Sequence, residues 1–230
     1  MKKAFVNDAL YHILNRGVEK RKIFLNKSDR IRFIHNLYEF NDSNPALNPY
    51  SNRTHNRRKI FSRNRNLLVE VQCFSLMPNH HHLICRQLKD GGISLFIKKL
   101  HGGYARAFNE KHKRVGHLFQ GKFKAILVDD DRYLMHLVCY IHANPLDLWQ
   151  AGWRKKSLDG EKLNEALEFL KKYRWSSHLD FIGKKNFPSV TNNNFVLEIF
   201  GGRDKYLQFF TEWLRFYEKN VQGMSEYALE

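Results

Sequence analysis

The sequence has few cysteines, no long apolar run and a deficit of acidic residues. Its three cysteines, Cys73, Cys85 and Cys139, are odd in number and form no Cys-x-x-Cys pair, which argues against a disulfide framework or a zinc knuckle. They are predicted to be reduced, buried residues of a cytosolic protein. No apolar segment approaches the roughly 20 residues that a membrane-spanning helix requires, so no membrane span is expected.

The charge balance is strongly basic. Lys and Arg total 39 against 23 Asp and Glu, which gives a formal net charge of +16. Such an excess indicates a polyanionic partner; nucleic acid is the commonest one, and an anionic membrane surface is the competing one. With 43% hydrophobic and 14% aromatic residues the chain can bury a core, which excludes global disorder. Its 230 residues suit one sizeable domain, alone or with an appendage.

The segment richest in chemistry is 77–84, where a Met-Pro-Asn turn leads into three consecutive histidines and an apolar run. Residues 68–74 alternate like a strand, so a hairpin is predicted with its turn at Met-Pro-Asn. Side chains alternate between the faces of a strand, which places His80 and His82 on one face and His81 on the other. Two such imidazoles suit a divalent first-row metal, although a histidine run on a half-exposed strand explains them equally well.

A second segment supplies candidate partners for these histidines. Apolar residues at helical spacing predict a helix over residues 130–144. Acidic residues at its start favour the positive end of the helix dipole, and Pro145 disfavours the α conformation of the residue before it. Tyr140 and Asn144 are then one turn apart on the same face, near the end of the helix. A tyrosine provides a nucleophilic hydroxyl, and an asparagine provides a neutral oxygen ligand.

Together these motifs resemble the REP-associated tyrosine transposases, within the IS200-like HUH single-tyrosine transposase superfamily. The resemblance rests on Met-Pro-Asn-His-His-His-Leu at 77–83 and Tyr-Ile-His-Ala-Asn-Pro at 140–145. Supporting segments are Tyr-His-Ile-Leu-Asn-Arg-Gly at 11–17, Gly-His-Leu-Phe-Gln-Gly-Lys-Phe-Lys at 116–124 and Trp-Ser-Ser at 175–177. The similarity therefore extends from about Ala9 to Ser177, which is most of the chain.

The resemblance implies a set of site residues. The two outer histidines of the triplet, His80 and His82, and the asparagine one turn after the tyrosine, Asn144, are expected to bind Mg²⁺ or Mn²⁺. Tyr140 is expected to be the nucleophile. The middle position of the triplet is usually a bulky hydrophobe, and here it is His81. That side chain is expected to face away from the metal and either to find a buried partner or to lie at a wet edge.

The order of predicted elements indicates an α+β fold. Strand, helix, strand, strand, helix, strand is the order of a ferredoxin-like antiparallel sheet with helices on one face, which the resemblance also implies. Gly102 and Gly103 predict a kink in the second helix. Residues 155–230 are predicted to be a C-terminal helical extension packed on an HUH single-tyrosine transposase domain at 1–154. Residues 41–66, rich in Asn, Ser, Pro and Arg, are predicted to form a long solvated loop.

The predicted function is that of a DNA transposase: single-strand cleavage and strand transfer on REP-like hairpin DNA, through a 5′-phosphotyrosine intermediate. Two alternatives stay open, a metal-dependent nuclease in which water attacks and a non-catalytic binder of single-stranded nucleic acid. A cytoplasmic, nucleoid-associated location is expected, with no membrane partner. Homodimer and monomer are equally compatible with the sequence.

Basic residues near the site are candidates for contact with the DNA backbone. Lys122 and Lys124 lie on the polar face of a strand predicted over 117–128, and Arg16 ends the first strand. Three other tyrosines, Tyr11, Tyr104 and Tyr133, compete for the role of nucleophile. Tyr11 is on the first predicted strand, and no amide follows Tyr104 or Tyr133 one helical turn later.

Overall fold

The computed structural model describes residues 5–45, 65–155 and 158–221. Most of the predicted solvated loop, residues 46–64, lies outside these ranges. Across the described ranges, no helix combines the length and the apolar character needed to cross a membrane. The three cysteines are free and buried, as predicted, and burial raises the pKa of the Cys73 thiol to about 12.

Four strands and three helices form the first part of the chain. The strands are β1 (Leu10–Arg16), β2 (Val69–Met77), β3 (His80–Gln87) and β4 (Lys124–Val128). The helices are α1 (Lys27–Glu39), α2 (Gly92–Lys111) and α3 (Asp131–Ala143). The sheet has the order β2-β3-β1-β4, and every neighbouring pair is antiparallel. This is the order of a ferredoxin-like sheet, which confirms the predicted fold class.

Local signals in the sequence explain where the helices begin and how closely they pack. Asn26 and Asp29 form a reciprocal capping box at the start of α1, each side chain accepting from the backbone N–H of the other residue. Helix α2 runs without interruption through Gly103, where a kink was predicted. A Cβ at that position would lie 2.3 Å from the Phe40 ring, so the glycine permits close helix packing instead of a bend.

The two faces of the sheet carry separate cores. On one, here called the α1–α2 face, alternate strand residues such as Ile13 and Leu83 pack against the buried apolar side chains of α1 and α2. On the other, here called the histidine face, Leu10 and Ile84 pack against α3 and the helices that follow it. Helices α1 and α2 are the predicted layer on one face. The structure adds a second helical layer that covers the histidine face.

Six further helices and a 3₁₀ turn (Trp153–Lys155) follow, and another 3₁₀ turn (Val18–Lys20) lies between β1 and α1. The helices are α4 (Leu146–Trp149), α5 (Gly160–Leu170), α6 (His178–Phe181), α7 (Asn194–Phe200), α8 (Arg203–Arg215) and α9 (Tyr217–Val221). The aromatic residues Tyr206, Phe210 and Trp213 of α8 are buried in the core that contains α3. The division between residues 154 and 155 stays a prediction.

A buried polar network ties α3 to this helical layer. The Tyr206 hydroxyl lies 2.7 Å from Nδ1 of His142 and 2.8 Å from Nδ1 of His178. His142 is also 2.8 Å from the hydroxyl of Ser177, through Nε2. All four side chains are buried, so each lost hydrogen bond leaves a polar atom without water to replace its partner.

Replacing Tyr206 with phenylalanine is expected to lower the free energy of unfolding by about 1–3 kcal/mol, because two buried imidazole nitrogens lose their common partner. Urea denaturation measures the change. Tyr38→Phe, at a half-buried position of α1, is the matched control and should change stability by less than about 0.5 kcal/mol. An equally small change for Tyr206→Phe would contradict the role assigned to the network.

Candidate active site

The strand register aligns the candidate residues on the histidine face. Arg16 of β1 pairs with His80 of β3, and Leu14 pairs both with His82 of β3 and with Lys124 of β4. Directly paired residues of antiparallel strands share a face, so Arg16 and Lys124 lie on the face of His80 and His82. Adjacent strands are about 4.8 Å apart, which puts the backbone of Lys124 about 10 Å from that of His82.

The predicted DNA-contact residues differ in their local surroundings. Lys124 is exposed at the start of β4, the edge strand. Lys122 is also exposed, but it precedes β4, which begins at Lys124 and not near residue 117 as the alternation suggested. The guanidinium of Arg16 donates through Nε to Oε1 of Gln120 at 2.5 Å. All three flank the edge of the histidine face at which β1 ends.

The hairpin turn fixes the start of the histidine strand. It consists of Pro78 and Asn79 alone, since β2 ends at Met77 and β3 begins at His80. The carbonyl of Pro78 accepts hydrogen bonds from the backbone of residues 23 and 24, at 2.8 and 3.0 Å. The Asn79 side chain lies 2.8 Å from Nδ1 of His80 and so holds that ring through one nitrogen.

His80 and His82 form a pair of adjacent imidazoles. Their ring centroids are 4.9 Å apart with the planes nearly perpendicular. His82 is 1% exposed, its Nδ1 lies 2.9 Å from Nε2 of His12, and its Nε2 is buried with no hydrogen-bond partner among the described residues. Burial, with the neighbouring histidines, lowers the pKa of His82 well below its usual value, and burial lowers that of His12 to about 4. Both rings are therefore neutral at pH 7.

His81 points to the opposite face, as the alternation predicts. Its Nε2 lies 2.8 Å from Nε2 of His101 on α2, and its ring packs 5.1 Å from that of Phe33. The side chain is fully buried in the layer of α1 and α2. A polar residue is accommodated at this core position because a second histidine provides its hydrogen-bond partner.

Helix α3 brings Tyr140 to the histidine pair. The side chain of Asp130 caps its first turn by accepting from the N–H of Tyr133. The helix ends at Ala143, close to the predicted end, although Asn144 keeps the α conformation that Pro145 was expected to disfavour. The Tyr140 ring lies 6.0 Å from that of His82, with the two planes perpendicular. It is 2% exposed. The histidine strand and the tyrosine helix therefore meet at this point of the histidine face.

Asn144 is buried one turn beyond Tyr140, where its amide oxygen faces an arginine. Oδ1 accepts from Nη2 of Arg154 at 2.6 Å, and the same guanidinium pairs with Asp147 at 2.8 Å. The guanidinium carbon is 5.3 Å from the centroid of the Tyr140 ring. A carbonyl oxygen has two lone pairs, so this hydrogen bond leaves one for a metal.

The competing tyrosines lie elsewhere. Tyr11 and Tyr104 belong to the core of the α1–α2 face, where the Tyr104 hydroxyl donates to the carbonyl of Ile23. The sheet therefore separates them from His80 and His82. Tyr133 is on α3, but it precedes Tyr140 by seven residues, which is about 10 Å along the helix axis.

Two residues without a predicted role, His12 and Arg154, contact the candidate residues. His12 carried a signal, because it alternates with the apolar residues of β1 and so had to lie on one face of the sheet. Arg154 carried no such signal, since it lies in a connector after the motifs. It reaches Asn144 only because the chain that follows α3 folds back on that helix.

The donor set fits a divalent cation. In the part of the chain that the structure describes, no three His, Cys, Asp or Glu side chains converge as a metal site, so a metal here depends on two imidazoles and an amide. The neutral His82 offers a buried Nε2 without a partner, and His80 lies beside it. Imidazole nitrogens bind several first-row divalent metals, and the neutral amide oxygen suits Mg²⁺ or Mn²⁺ if water and phosphate oxygens fill the rest of the shell.

Part of the chain is similar to known transposases. Residues 50–144, the segment containing the histidine triplet, Tyr140 and Asn144, match the family model of IS200-like transposases. No curated protein matches the chain. A solved structure of a REP-associated tyrosine transposase bound to a REP hairpin is similar, with 14% identity, a TM-score of 0.47 and coverage of 84% of this chain and 93% of that one. The histidine triplet, Tyr140 and Asn144 therefore lie in a segment that is similar to the IS200-like transposases, the superfamily that the motifs resemble.

Proposed function

We propose that this protein cleaves single-stranded DNA and transfers the strand through a 5′-phosphotyrosine intermediate on Tyr140. The observation that carries the proposal is the meeting of the Tyr140 ring with the His80–His82 pair on one face of the sheet. The match to IS200-like transposases supports DNA as the substrate class, and the net charge of +16 supports a polyanion. The motif resemblance extends the proposal to DNA folded as a REP-like hairpin.

The chemistry follows from the hydroxyl of Tyr140. Its oxygen attacks the phosphorus atom and a tyrosine O–P bond forms. The P–O3′ bond of the upstream nucleotide breaks and leaves a 3′-hydroxyl. The tyrosine loses a proton in this step, and the new 3′-hydroxyl takes one up. A phosphodiester replaces a phosphodiester, so attack by a 3′-hydroxyl reverses the step and joins strands. Mg²⁺ or Mn²⁺, held by His80, His82 and Asn144, would neutralise charge on the phosphate oxygens.

For this reaction a phosphate has to reach the hydroxyl of a buried tyrosine. The Tyr140 side chain is buried, and the guanidinium of Arg154 lies over its ring. We propose that DNA binding opens the side-chain layer above the ring enough for a phosphate to reach the hydroxyl. The basic residues Arg16 and Lys124, in line with the two histidines, are placed to hold the adjoining phosphates.

Strand-specific labelling tests the proposed reaction. A hairpin labelled at its 3′ end is expected to transfer the label to the protein in the presence of Mn²⁺, so that it migrates with the polypeptide on a denaturing gel. The same hairpin labelled at its 5′ end should release a free fragment. Cleavage with neither label on the protein would favour the hydrolytic nuclease, and binding without cleavage would favour the non-catalytic binder.

The affinity of the hairpin is expected to fall steeply with salt, because each neutralised phosphate releases counterions. Changing both Lys122 and Lys124 to alanine should reduce the slope of log affinity against log salt by about 1–2. The matched control changes Lys98 and Arg106, two exposed basic residues of α2 on the α1–α2 face, and should leave the slope unchanged. Equal slopes for the two double variants would show that phosphates do not contact the lysines.

A further inference from the structure

His12 lies in the middle of β1, fully buried beside the candidate metal ligands. Its Nε2 is 2.9 Å from Nδ1 of His82, and the two rings stack with centroids 5.1 Å apart and planes inclined by 14°. The register pairs Leu14, not His12, with His82, so the contact is diagonal between two neighbouring strands. This contact holds the His82 ring through Nδ1.

The chemistry of the His82 ring determines which atom donates. A ring nitrogen that binds a metal offers a lone pair, and Nδ1 of His82 is already occupied by His12, so Nε2 is the nitrogen left for a metal. In a neutral imidazole the other nitrogen carries the hydrogen. Nδ1 of His82 therefore donates to Nε2 of His12, and His12 keeps its own hydrogen on Nδ1. Nδ1 of His12 is a buried atom without a hydrogen-bond partner among the described side chains and backbone.

We propose that His12 is a positioning residue: it holds His82 in the tautomer whose Nε2 is free to bind the metal. The inference rests on the proposed function. The second nitrogen of a metal-binding histidine is almost always held by a carboxylate, a backbone carbonyl or water. Here a neutral imidazole takes that place, which orients the ligand without adding negative charge beside the phosphate. In this arrangement His12 is not itself a ligand, because its Nε2 accepts from His82 and its Nδ1 carries the hydrogen.

The opposite face of β3, the strand of His82, provides a matched control. His81 and His101 form a second histidine–histidine contact, 2.8 Å between their Nε2 atoms, among the side chains of the α1–α2 face. Removing His101 deletes the hydrogen bond of His81, which has the same chemistry and belongs to the same strand, β3, as that of His82. A general loss of stability would affect both pairs, whereas a loss of ligand orientation would affect the His12 pair alone.

Three substitutions of His12 separate orientation from packing. His12→Gln keeps an acceptor at the ε position, so its amide oxygen can take the hydrogen from His82. His12→Leu removes the acceptor and retains most of the volume. His12→Asn is the second loss variant, since its side chain is one atom too short, and it keeps a polar group at the site if the leucine variant fails to fold. His101→Leu is the control.

Two measurements on the full chain test the proposal: Mn²⁺ affinity by the loss of the free-ion electron paramagnetic resonance signal, and the His82 tautomer by ¹⁵N NMR of the metal-free protein. The loss variants are expected to weaken Mn²⁺ binding about 10–100-fold. They should also lose the Nδ1–H signature of His82. His12→Gln should restore both properties, and His101→Leu should change neither.

The outcomes distinguish this inference from the proposed function. Mn²⁺ affinity and a His82 tautomer that are unchanged in a folded loss variant would overturn the role of His12 and leave the proposed function standing. An equal loss of affinity in His101→Leu would also overturn it, because the effect would then be general. If the unmodified protein binds no Mn²⁺, the metal site of the proposed function fails, and the role of His12 fails with it.

Discussion

Replacing Tyr140 with phenylalanine is expected to abolish strand cleavage and the covalent adduct together, while the fold and hairpin binding persist. The substitution removes one oxygen and keeps the ring that packs 6.0 Å from His82. The rate should fall on the order of 10⁴-fold or more, as it does when other enzymes that act through a covalent intermediate lose their nucleophile. Cleavage of a labelled hairpin under single-turnover conditions measures it.

Two further tyrosine variants serve as controls for that result. Tyr104→Phe alters the α1–α2 face, and Tyr133→Phe alters the first turn of α3, so both should retain cleavage and adduct formation. Hydrolysis by Tyr140→Phe at a rate near that of the unmodified protein would contradict the account. It would indicate that water is the nucleophile and that Tyr140 only lines the site.

Changing either His80 or His82 to alanine is expected to abolish metal-dependent cleavage and to leave hairpin affinity nearly unchanged. The imidazoles provide the nitrogen ligands of the proposed site, whereas contacts with phosphates supply most of the affinity for DNA. A loss of about 10³-fold or more in cleavage rate is expected for each variant. Cleavage and filter-binding assays on the same hairpin separate the two effects.

The middle histidine provides the control for this pair. His81 is buried against Phe33 and His101, so alanine there would leave a cavity and an unpaired nitrogen. His81→Leu fills that space with the kind of bulky hydrophobe that the resemblance implies at this position. It is expected to retain cleavage. Loss of metal-dependent cleavage in a folded His81→Leu protein would contradict the assignment of His81 to the opposite face.

Much of this arrangement could be predicted because it depends on short-range rules. The alternation of side chains along β3 separates His81 from its neighbours, and helical spacing places Asn144 one turn after Tyr140. The order of strands and helices was sufficient to indicate the sheet topology. Each of these features depends on residues within a few positions of one another or on the sequence of elements alone.

The features that were not predicted depend on which distant residues meet. The hydrogen bond between His12 and His82 requires the register of β1 against β3, which neither strand specifies by itself. Gly103 suggested a kink because its partner, the Phe40 ring, is far away in the sequence. Arg154 reaches Asn144 only when the connector behind α3 folds back. Periodicity and turn signals carry no information about such contacts.

The identity of the residue that carries the DNA tests the central claim most directly. After reaction with a hairpin in Mn²⁺, trypsin digestion should release the peptide of residues 133–154, which contains both Tyr133 and Tyr140. Fragment-ion mass spectrometry then locates the nucleotide. A 5′-phosphate ester on Tyr140 is expected. A nucleotide on Tyr133 or on any other residue, or a cleaved strand with no protein attached, would contradict it.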